Sequence, residues 1–234
     1  MNIDYKHIKV IGFDADDTLW VNETYFREAE EAFAALLSKY ETKNKIDQEL
    51  YKMEMKNLST YGYGVKAFVL SMVESALDLS NNNVSNKTIA AILDLGKDML
   101  EKPVDLLDDV ELVLKQLAKT HRLILATKGD LLDQEKKLEK SGLIKYFHHI
   151  EVLSDKKETD YSKLLKRLDV KPSEFLMIGN SLKSDILPLI NLGAQAIHVP
   201  FHTTWAHEQV TEQEKEGKLY NTLASIKDVL KLIK

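Results

Sequence analysis

The chain has 234 residues, 44% of them hydrophobic and 29% charged, which is typical of a soluble globular protein. Its 37 acidic and 32 basic side chains leave a net charge of −5, which gives no electrostatic basis for binding nucleic acid. There is no cysteine, so disulfides and thiolate metal sites are excluded. No apolar run approaches the ~18 residues of a membrane span, and the N-terminal "MNIDYKHIKVIGF" does not resemble a signal peptide, so we expect a cytoplasmic protein that binds no membrane.

The first predicted element is a short buried strand over residues 7–13, "HIKVIGF", which are largely apolar and β-branched. Three aspartates, Asp14, Asp16 and Asp17, follow it directly. Carboxylates so close together repel one another unless a cation offsets their charge. We interpret Asp17 as a structural residue of the turn, and we expect Asp14 and Asp16 to take part in chemistry.

The next 84 residues, 21–104, read as a helical insert without any strand pattern. Amphipathic helices are predicted over 22–40, on both sides of a turn at 59–64, and after a cap at Ser85 or Asn86. A module of helices is therefore expected between the first strand and the rest of the sheet.

The turn inside this insert, "TYGYG" at 60–64, has two open interpretations. Its glycines permit close approach and unusual backbone angles, and Tyr61 and Tyr63 offer aromatic faces and hydroxyls. The segment is either a plain turn between two helices or a loop that contacts a substrate.

Strands and helices alternate through the remainder of the chain. Four further strands and a final helix are predicted, over 122–127, 148–154, 174–179, 194–200 and 222–234 respectively. Such alternation predicts an α/β fold, a doubly wound parallel sheet with helices on both faces. The expected domains are a core of residues 1–20 and 105–234, and a helical cap domain at 21–104.

Polar residues follow each of the first four strands, and the carboxyl ends of parallel strands meet at one edge, where ligands bind. After the three aspartates that follow the first strand, these residues are Thr127, Lys128, Lys156, Lys157, Asn180 and Asp185. Oxygen ligands suit Mg²⁺, so we interpret Asp14, Asp16 and Asp185 as a metal-binding cluster. With a lysine and a hydroxyl, the cluster predicts a phosphoryl site, where one carboxylate attacks phosphorus and another exchanges a proton with the leaving oxygen.

The same four strand ends resemble the motifs of the haloacid dehalogenase-like (HAD) hydrolases. "DADDT" at 14–18 is similar to the DxDxT signature, and "LILAT", which ends at Thr127, resembles the second motif. "SDKK" and "GNSLKSD" at 179–185 resemble the third and fourth. The helical insert between the first two motifs is similar to the alpha-helical cap of one subclass, so the resemblance implies a Rossmann-like core with a cap that closes over the site.

The resemblance also implies a role for each matching residue. Asp14 would be the nucleophile and a metal ligand, and Asp16 the general acid and base, with its backbone carbonyl on the metal. The remaining implied roles are loop orientation by Thr18, phosphoryl binding by Thr127 and the Lys128 amide, charge neutralisation by Lys156, and completion of the metal site by Asp185. Dehalogenating members lack the second aspartate of the first motif, so the presence of Asp16 favours a phosphatase.

Two positions stay open. Strand alternation turns only one of Lys156 and Lys157 toward the site, and we favour Lys156. Asn180 stands where many relatives carry aspartate, and its amide could orient Asp185 or hold a metal-bound water. Our candidate substrate-binding residues are Thr18, Tyr61, Tyr63, Lys128 and Asn180.

Residues 198–208, "HVPFHTTWAHE", carry three histidines, but His202 and His207 have no recognised ligand spacing. We expect this loop to border the site, with Trp205 packed against the core. The acidic run at 208–218 reads as solvated surface.

The function predicted is a Mg²⁺-dependent phosphatase that hydrolyses a small soluble phosphorylated metabolite through an aspartyl-phosphate. Within the same family, a phosphomutase or a dehalogenase is the alternative. A receiver-like regulator or a non-catalytic phosphate-binding protein is the rival from another class, although receivers are about half this length and have no helical insert. The sequence pattern indicates neither the substrate nor the oligomeric state.

Overall fold

The computed structural model describes residues 3–233, and it divides into two compact units. The first unit comprises the segment that ends at Glu23, Val104–Lys128, and the segment that begins at Lys136. The second comprises Thr24–Pro103 and Gly129–Glu135. The helical stretch therefore begins three residues later and ends one residue earlier than the expected 21–104, and the grouping of residues 129–135 with it was not anticipated.

A six-stranded sheet, parallel throughout, lies at the centre of the first unit. Its strands are β1 (Val10–Phe13), β2 (Arg122–Lys128), β3 (His149–Leu153), β4 (Phe175–Gly179), β5 (Gln195–His198) and β6 (Asn221–Thr222). Their spatial order is β3-β2-β1-β4-β5-β6, so the order reverses beside β1. Ligands of doubly wound folds bind at such a switch point, outside the carboxyl ends of the strands.

Successive strand residues point to opposite faces of the sheet, and each face is covered by a hydrophobic cluster of its own. In β2, Leu123 and Leu125 belong to one hydrophobic cluster, while Ile124 and Ala126 belong to another. Helix α5 (Val110–Leu117) packs into the first cluster. Helix α7 (Glu158–Arg167) packs into the second. The expected doubly wound α/β fold is confirmed.

The second unit has a hydrophobic core of its own, which includes the fully buried Phe33, Ile46 and Met72. Its helices are α1 (Glu23–Leu37, whose first residue belongs to the first unit), α2 (Lys43–Tyr61), α3 (Val65–Leu79) and α4 (Asn86–Glu101). Ser85 caps α4 as predicted, since its hydroxyl accepts a hydrogen bond from the Thr88 amide at 3.1 Å.

The remaining helices are α6 (Leu131–Ser141), α8 (Leu187–Asn191), α9 (Glu212–Lys215) and α10 (Val229–Leu232). Across residues 3–233, no helix combines the length and the apolar character that crossing a bilayer requires. A π-helical turn at Leu182–Ile186 precedes α8 and carries one of the candidate site residues.

The C-terminal prediction of an amphipathic helix over 222–234 is wrong at its start, and the described part of that stretch is helical only over residues 226–232. Asn221 and Thr222 instead pair with Ile197 and His198 and extend the sheet by one short strand. A 3₁₀ turn at Ile226–Asp228 then leads directly into helix α10, which covers Val229–Leu232. Local periodicity did not reveal this, because a two-residue strand has no pattern of its own. Residue 234 lies outside the described part.

Candidate active site

The ends of the three central strands lie side by side. Phe13, the last residue of β1, is paired with Leu125 of β2 and with Ile178 of β4. The amide of Asp14 continues the ladder by donating to the Ile178 carbonyl at 2.9 Å. The polar residues that follow β1, β2 and β4 therefore emerge at one level of the sheet edge.

A buried ion-pair cluster occupies this edge. The Lys156 ammonium lies 2.5 Å from Asp14 Oδ1 and 2.7 Å from Asp185 Oδ1, and its side chain is only 1% exposed. The neighbouring Lys157 side chain is 75% exposed and pairs with Asp155. Of the two candidate lysines, Lys156 is thus the one that contacts the candidate nucleophile.

The cluster, which we call the strand-end cluster (Asp14, Lys156 and Asp185), holds two carboxylates against one ammonium. Burial raises the pKa of Asp14 to about 7, repulsion from Asp185 adds to the rise, and the attraction of Lys156 opposes it. Burial alone would lower the pKa of Lys156, but the two carboxylates outweigh it and hold that pKa well above its ordinary value. The cluster therefore carries an excess of buried negative charge that a further cation would offset.

The second oxygen of Asp14 has a different partner. The Thr18 hydroxyl lies 3.0 Å from Asp14 Oδ2 and 3.3 Å from Asn180 Oδ1. A hydroxyl carries a single hydrogen, so two acceptor oxygens compete for it. The backbone carbonyl of Asn180 accepts from His198 Nε2 at 3.0 Å, and that nitrogen must carry the hydrogen because a carbonyl oxygen can only accept. The Thr18 hydroxyl thus lies between the side-chain oxygens of the residues that directly follow β1 and β4.

Asp185 is held from both sides. Its Oδ1 accepts from Lys156, and its Oδ2 accepts from the Ser181 amide at 3.0 Å. The chain must also approach closely here, because a β-carbon on Gly179 would lie 2.4 Å from Asp185 Oδ2. Glycine is required at position 179 for the carboxylate to reach Lys156.

The side chain of Asp16 has other partners. Its Oδ1 accepts from Trp20 Nε1 at 2.7 Å and from Lys137 Nζ at 3.1 Å. Within residues 3–233, no three His, Asp or Glu side chains form a group that could hold a metal ion. The structure thus does not bring the three carboxylates together in the way the sequence pattern suggested, since it joins only Asp14 and Asp185.

Asp17 adopts the left-handed conformation, with φ of 61°, and its carboxylate accepts from the amides of Asn22 and Glu23 at 2.9 and 3.0 Å. These bonds fasten the turn after β1 to the start of α1. Burial raises the pKa of Asp17 to about 7, against the effect of the two amides. The structure supports its interpretation as a turn residue.

A second buried cluster lies at the ends of β2 and β4, and sequence reasoning missed one member. Lys128 Nζ donates to Ser184 Oγ at 2.9 Å and to Glu208 Oε1 at 2.5 Å, and Glu208 Oε2 accepts from the hydroxyls of Ser181 and Ser184. The Glu208 side chain is 11% exposed, so the expectation of a solvated acidic run is wrong at this position. No local signal distinguishes Glu208, because its partners lie far away in the sequence.

Glu208 is ionised in this setting. Burial alone would raise its pKa, but the Lys128 ammonium and the three hydrogen bonds outweigh burial and hold the pKa at about 2. The loop that carries Glu208 is therefore bound to the strand ends through this charged side chain.

Thr127, which precedes Lys128, is buried, and its hydroxyl donates to the Lys128 carbonyl at 3.3 Å.

The "TYGYG" turn lies in the second unit. Tyr61 ends α2, and its hydroxyl donates to Glu74 of α3 at 2.8 Å. Gly64 has φ of 105°, and a β-carbon there would lie 2.9 Å from the Asp130 amide nitrogen. Helix pairing explains Tyr61 and close approach explains Gly64, while Tyr63 is half-buried.

The histidines of the 198–208 loop are engaged with aromatic rings. The rings of His202 and Phe201 lie 4.0 Å apart, and those of His207 and Trp205 lie 4.8 Å apart. Trp205 is half-buried, and the expected packing of its ring against the core stays a prediction. The two ring contacts are internal to the loop, and its Glu208 carboxylate contacts the neighbouring strand ends.

Comparison with known proteins agrees with this geometry. The family described as haloacid dehalogenase-like hydrolase matches residues 8–193. A haloacid dehalogenase-like family hydrolase from Xanthomonas campestris is 38% identical, with a TM-score of 0.81 over 88% of this chain and 87% of that one. The N-acylneuraminate-9-phosphatase of Mus musculus is 27% identical over 82% of each chain. The glyceraldehyde 3-phosphate phosphatase of Methanothermobacter thermautotrophicus is 24% identical over 95% of this chain and all of that one. The chain therefore belongs to the haloacid dehalogenase-like hydrolases and is an enzyme of their phosphatase type.

Proposed function

We propose that the chain is a Mg²⁺-dependent phosphatase that hydrolyses a small soluble phosphomonoester through an aspartyl-phosphate on Asp14. The observation that carries the proposal is the strand-end cluster, in which a buried carboxylate lies against a buried ammonium at the switch point of the sheet. Two relatives named as phosphatases of small phosphorylated compounds support the substrate class.

In the first half of the reaction, a carboxylate oxygen of Asp14 attacks phosphorus while the bond from phosphorus to the ester oxygen breaks. Asp16 gives its proton to that leaving oxygen, so the product departs as an alcohol. The Lys156 ammonium, the Thr127 hydroxyl and the Lys128 amide stabilise the negative charge of the phosphoryl oxygens.

In the second half, the Asp16 carboxylate takes a proton from water as the water oxygen attacks phosphorus. The bond from phosphorus to the Asp14 oxygen breaks, which releases inorganic phosphate and regenerates the Asp14 carboxylate. Asp16 is then protonated again for the next substrate, so protons balance over the cycle.

The strand-end residues fit a hard divalent cation, because the buried cluster carries excess negative charge and oxygens from two strands meet beside it. We propose that Asp14 Oδ2, the Asp16 carbonyl and Asn180 Oδ1 would hold Mg²⁺, which would supply positive charge beside the phosphoryl group.

Asp185 would instead hold Lys156, since its Oδ1 accepts from that ammonium and its Oδ2 accepts from the Ser181 amide, a fixed backbone donor. Asp14 Oδ2 accepts from the Thr18 hydroxyl, and a hydroxyl can rotate away to admit a cation.

Mg²⁺ binding to three variants, measured calorimetrically as well as through activity, tests this assignment. We expect Asn180→Asp to tighten binding by adding a charged ligand, and Asn180→Ala to weaken it more than Asp185→Asn does. If Asp185→Asn weakens binding more, the metal ligand is Asp185, as the family resemblance first implied.

A panel of phosphate esters tests the function itself. It should begin with the compounds that name the relatives, N-acylneuraminate 9-phosphate and glyceraldehyde 3-phosphate, and extend to other sugar and polyol phosphates. We expect continuous phosphate release from at least one ester with Mg²⁺ and none with a chelator. Release from no ester, or release that a chelator leaves unchanged, would overturn the proposal.

A further inference from the structure

Lys137, which no sequence motif singles out, contacts the side chain that the proposed function uses for proton transfer. Its ammonium lies 3.1 Å from Asp16 Oδ1 and 2.8 Å from Asn22 Oδ1, and its side chain is 18% exposed. We propose that Lys137 is a positioning residue that holds the Asp16 carboxylate in the orientation proton transfer needs. The inference rests on the proposed function.

Two donors from different parts of the chain meet at one oxygen of Asp16. Trp20 Nε1 donates to the same Oδ1 at 2.7 Å, and the Trp20 side chain is fully buried, so its indole has a fixed direction. Lys137 approaches from α6, a different element. A carboxylate bound from two elements keeps one orientation of its plane.

The ammonium is itself fixed in place. Asn22, its second acceptor, belongs to the turn after β1, and the Asn22 amide donates to Asp17 Oδ1 at 2.9 Å. Lys137 therefore joins α6 to the turn that carries Asp16. Lys136, the preceding residue of the same helix, is exposed and provides a matched control.

Orientation matters because an acid or base contributes only when it lies within hydrogen-bonding reach of the reacting oxygen. Without the Lys137 ammonium, Asp16 loses one of the donors that hold its plane, and the fraction of molecules aligned for transfer falls. Lys137 makes no bond to the phosphoryl group in this scheme. Asp16 also takes a proton from water in the second half of the reaction, a step that all esters share. In kcat/KM, which reports only the steps up to departure of the leaving group, the loss of Lys137 should therefore be felt only where the leaving oxygen needs a proton.

Leaving groups of different basicity separate this role from a structural one. We would compare Lys137→Met, Lys137→Arg and Lys136→Met on the best alkyl ester of the panel and on p-nitrophenyl phosphate, whose leaving group departs without a proton. Lys137→Met should lower kcat/KM for the alkyl ester by about 10- to 100-fold, part of the 10²–10⁴ that general acids contribute. The loss for p-nitrophenyl phosphate should be less than about threefold, Lys137→Arg should recover part of the activity, and Lys136→Met should behave as the parent chain.

A double variant gives a second readout. In an Asp16→Asn background, Lys137→Met should cause no further loss, because the group it positions is already gone. Equal losses for both esters, or a further loss in the Asp16→Asn background, would overturn the inference.

A third readout does not depend on turnover, so it separates failure of this inference from failure of the proposed function. The chain has 2 tryptophans, whose indole N–H signals can be resolved by NMR. Lys137→Met should shift the Trp20 signal and leave the Trp205 signal in place, while Lys136→Met shifts neither. An unmoved Trp20 signal would overturn the inference even in a fully active enzyme.

Discussion

Each of the two units contains lysine–aspartate ion pairs, but a pair in the helical unit is exposed to solvent and the strand-end cluster is buried. In the helical unit, Lys43 pairs with Asp47 at 2.9 Å, with side chains 53% and 40% exposed. In the strand-end cluster, Lys156, Asp14 and Asp185 are all less than 10% exposed. Water screens the first kind of pair, which stabilises little, whereas the second depends on its partners because a lone buried charge is costly. Buried charge of this kind marks the place in the molecule where chemistry is expected.

The largest effect should follow from the nucleophile. Asp14→Asn should lower phosphate release by at least about 10³-fold, because an amide neither attacks phosphorus nor balances a cation. Asp47→Asn makes the same chemical change in the helical unit and should leave the rate as it was. Retention of more than a tenth of the activity by Asp14→Asn would remove the proposed mechanism.

The next largest effect should be on the free energy of unfolding, which should fall more when a buried ion pair is broken than when an exposed one is. Lys156→Met leaves two carboxylates buried together, and we expect the free energy of unfolding to fall by about 3–5 kcal/mol. Lys43→Met, whose partners are solvated, should change it far less. Urea denaturation of both variants at pH 7 measures the two free energies of unfolding. Equal losses would show that burial does not distinguish the strand-end cluster from the exposed Lys43 pair.

Glu208 should add a pH dependence to stability. Its pKa of about 2 lies below its ordinary value of 4.5, so its contribution is complete above about pH 4.5 and is lost as pH falls toward 2. The stability difference between the parent chain and Glu208→Gln should shrink by about 3 kcal/mol over that window. Hydrogen bonds from Lys45 and Lys52 lower the pKa of Glu49 as well, but water screens both exposed pairs, so Glu49→Gln should show a much smaller change. A flat difference for Glu208→Gln would contradict its buried pairing.

The smallest effect is expected in the helical unit, at Tyr61 and Tyr63. If the segment is the substrate-contacting loop of the two open interpretations, alanine at both positions should raise KM about fivefold, which corresponds to one hydrogen bond of ~1 kcal/mol, and reorder the substrate panel. Glu74→Gln weakens the helix-pairing bond of Tyr61 alone and serves as the control. An unchanged panel for the double variant would make the segment a plain turn.

The sheet could be predicted from sequence because its central strands β1, β2 and β4 are short apolar runs whose residues alternate between two buried faces, as Leu123 and Ile124 illustrate. The strand-end positions follow from topology alone. The partners of Asp16 and Lys128 could not be predicted in this way, since Lys137 and Glu208 lie 121 and 80 residues away from them. Such contacts depend on how loops and helices return to the sheet edge, which local periodicity does not encode.

The central claim is that Asp14 carries phosphate transiently and many times over. Acid quenching during turnover of a ³²P-labelled ester, with free phosphate counted in the same samples, measures both quantities for the parent chain and for Asp14→Asn. We expect a hydroxylamine-labile label on Asp14 that stays below one per chain while released phosphate rises far beyond one per chain, and neither in Asp14→Asn. A label that reaches one per chain and stops, with no continuing phosphate release, would make the protein a phosphorylated switch and contradict the account.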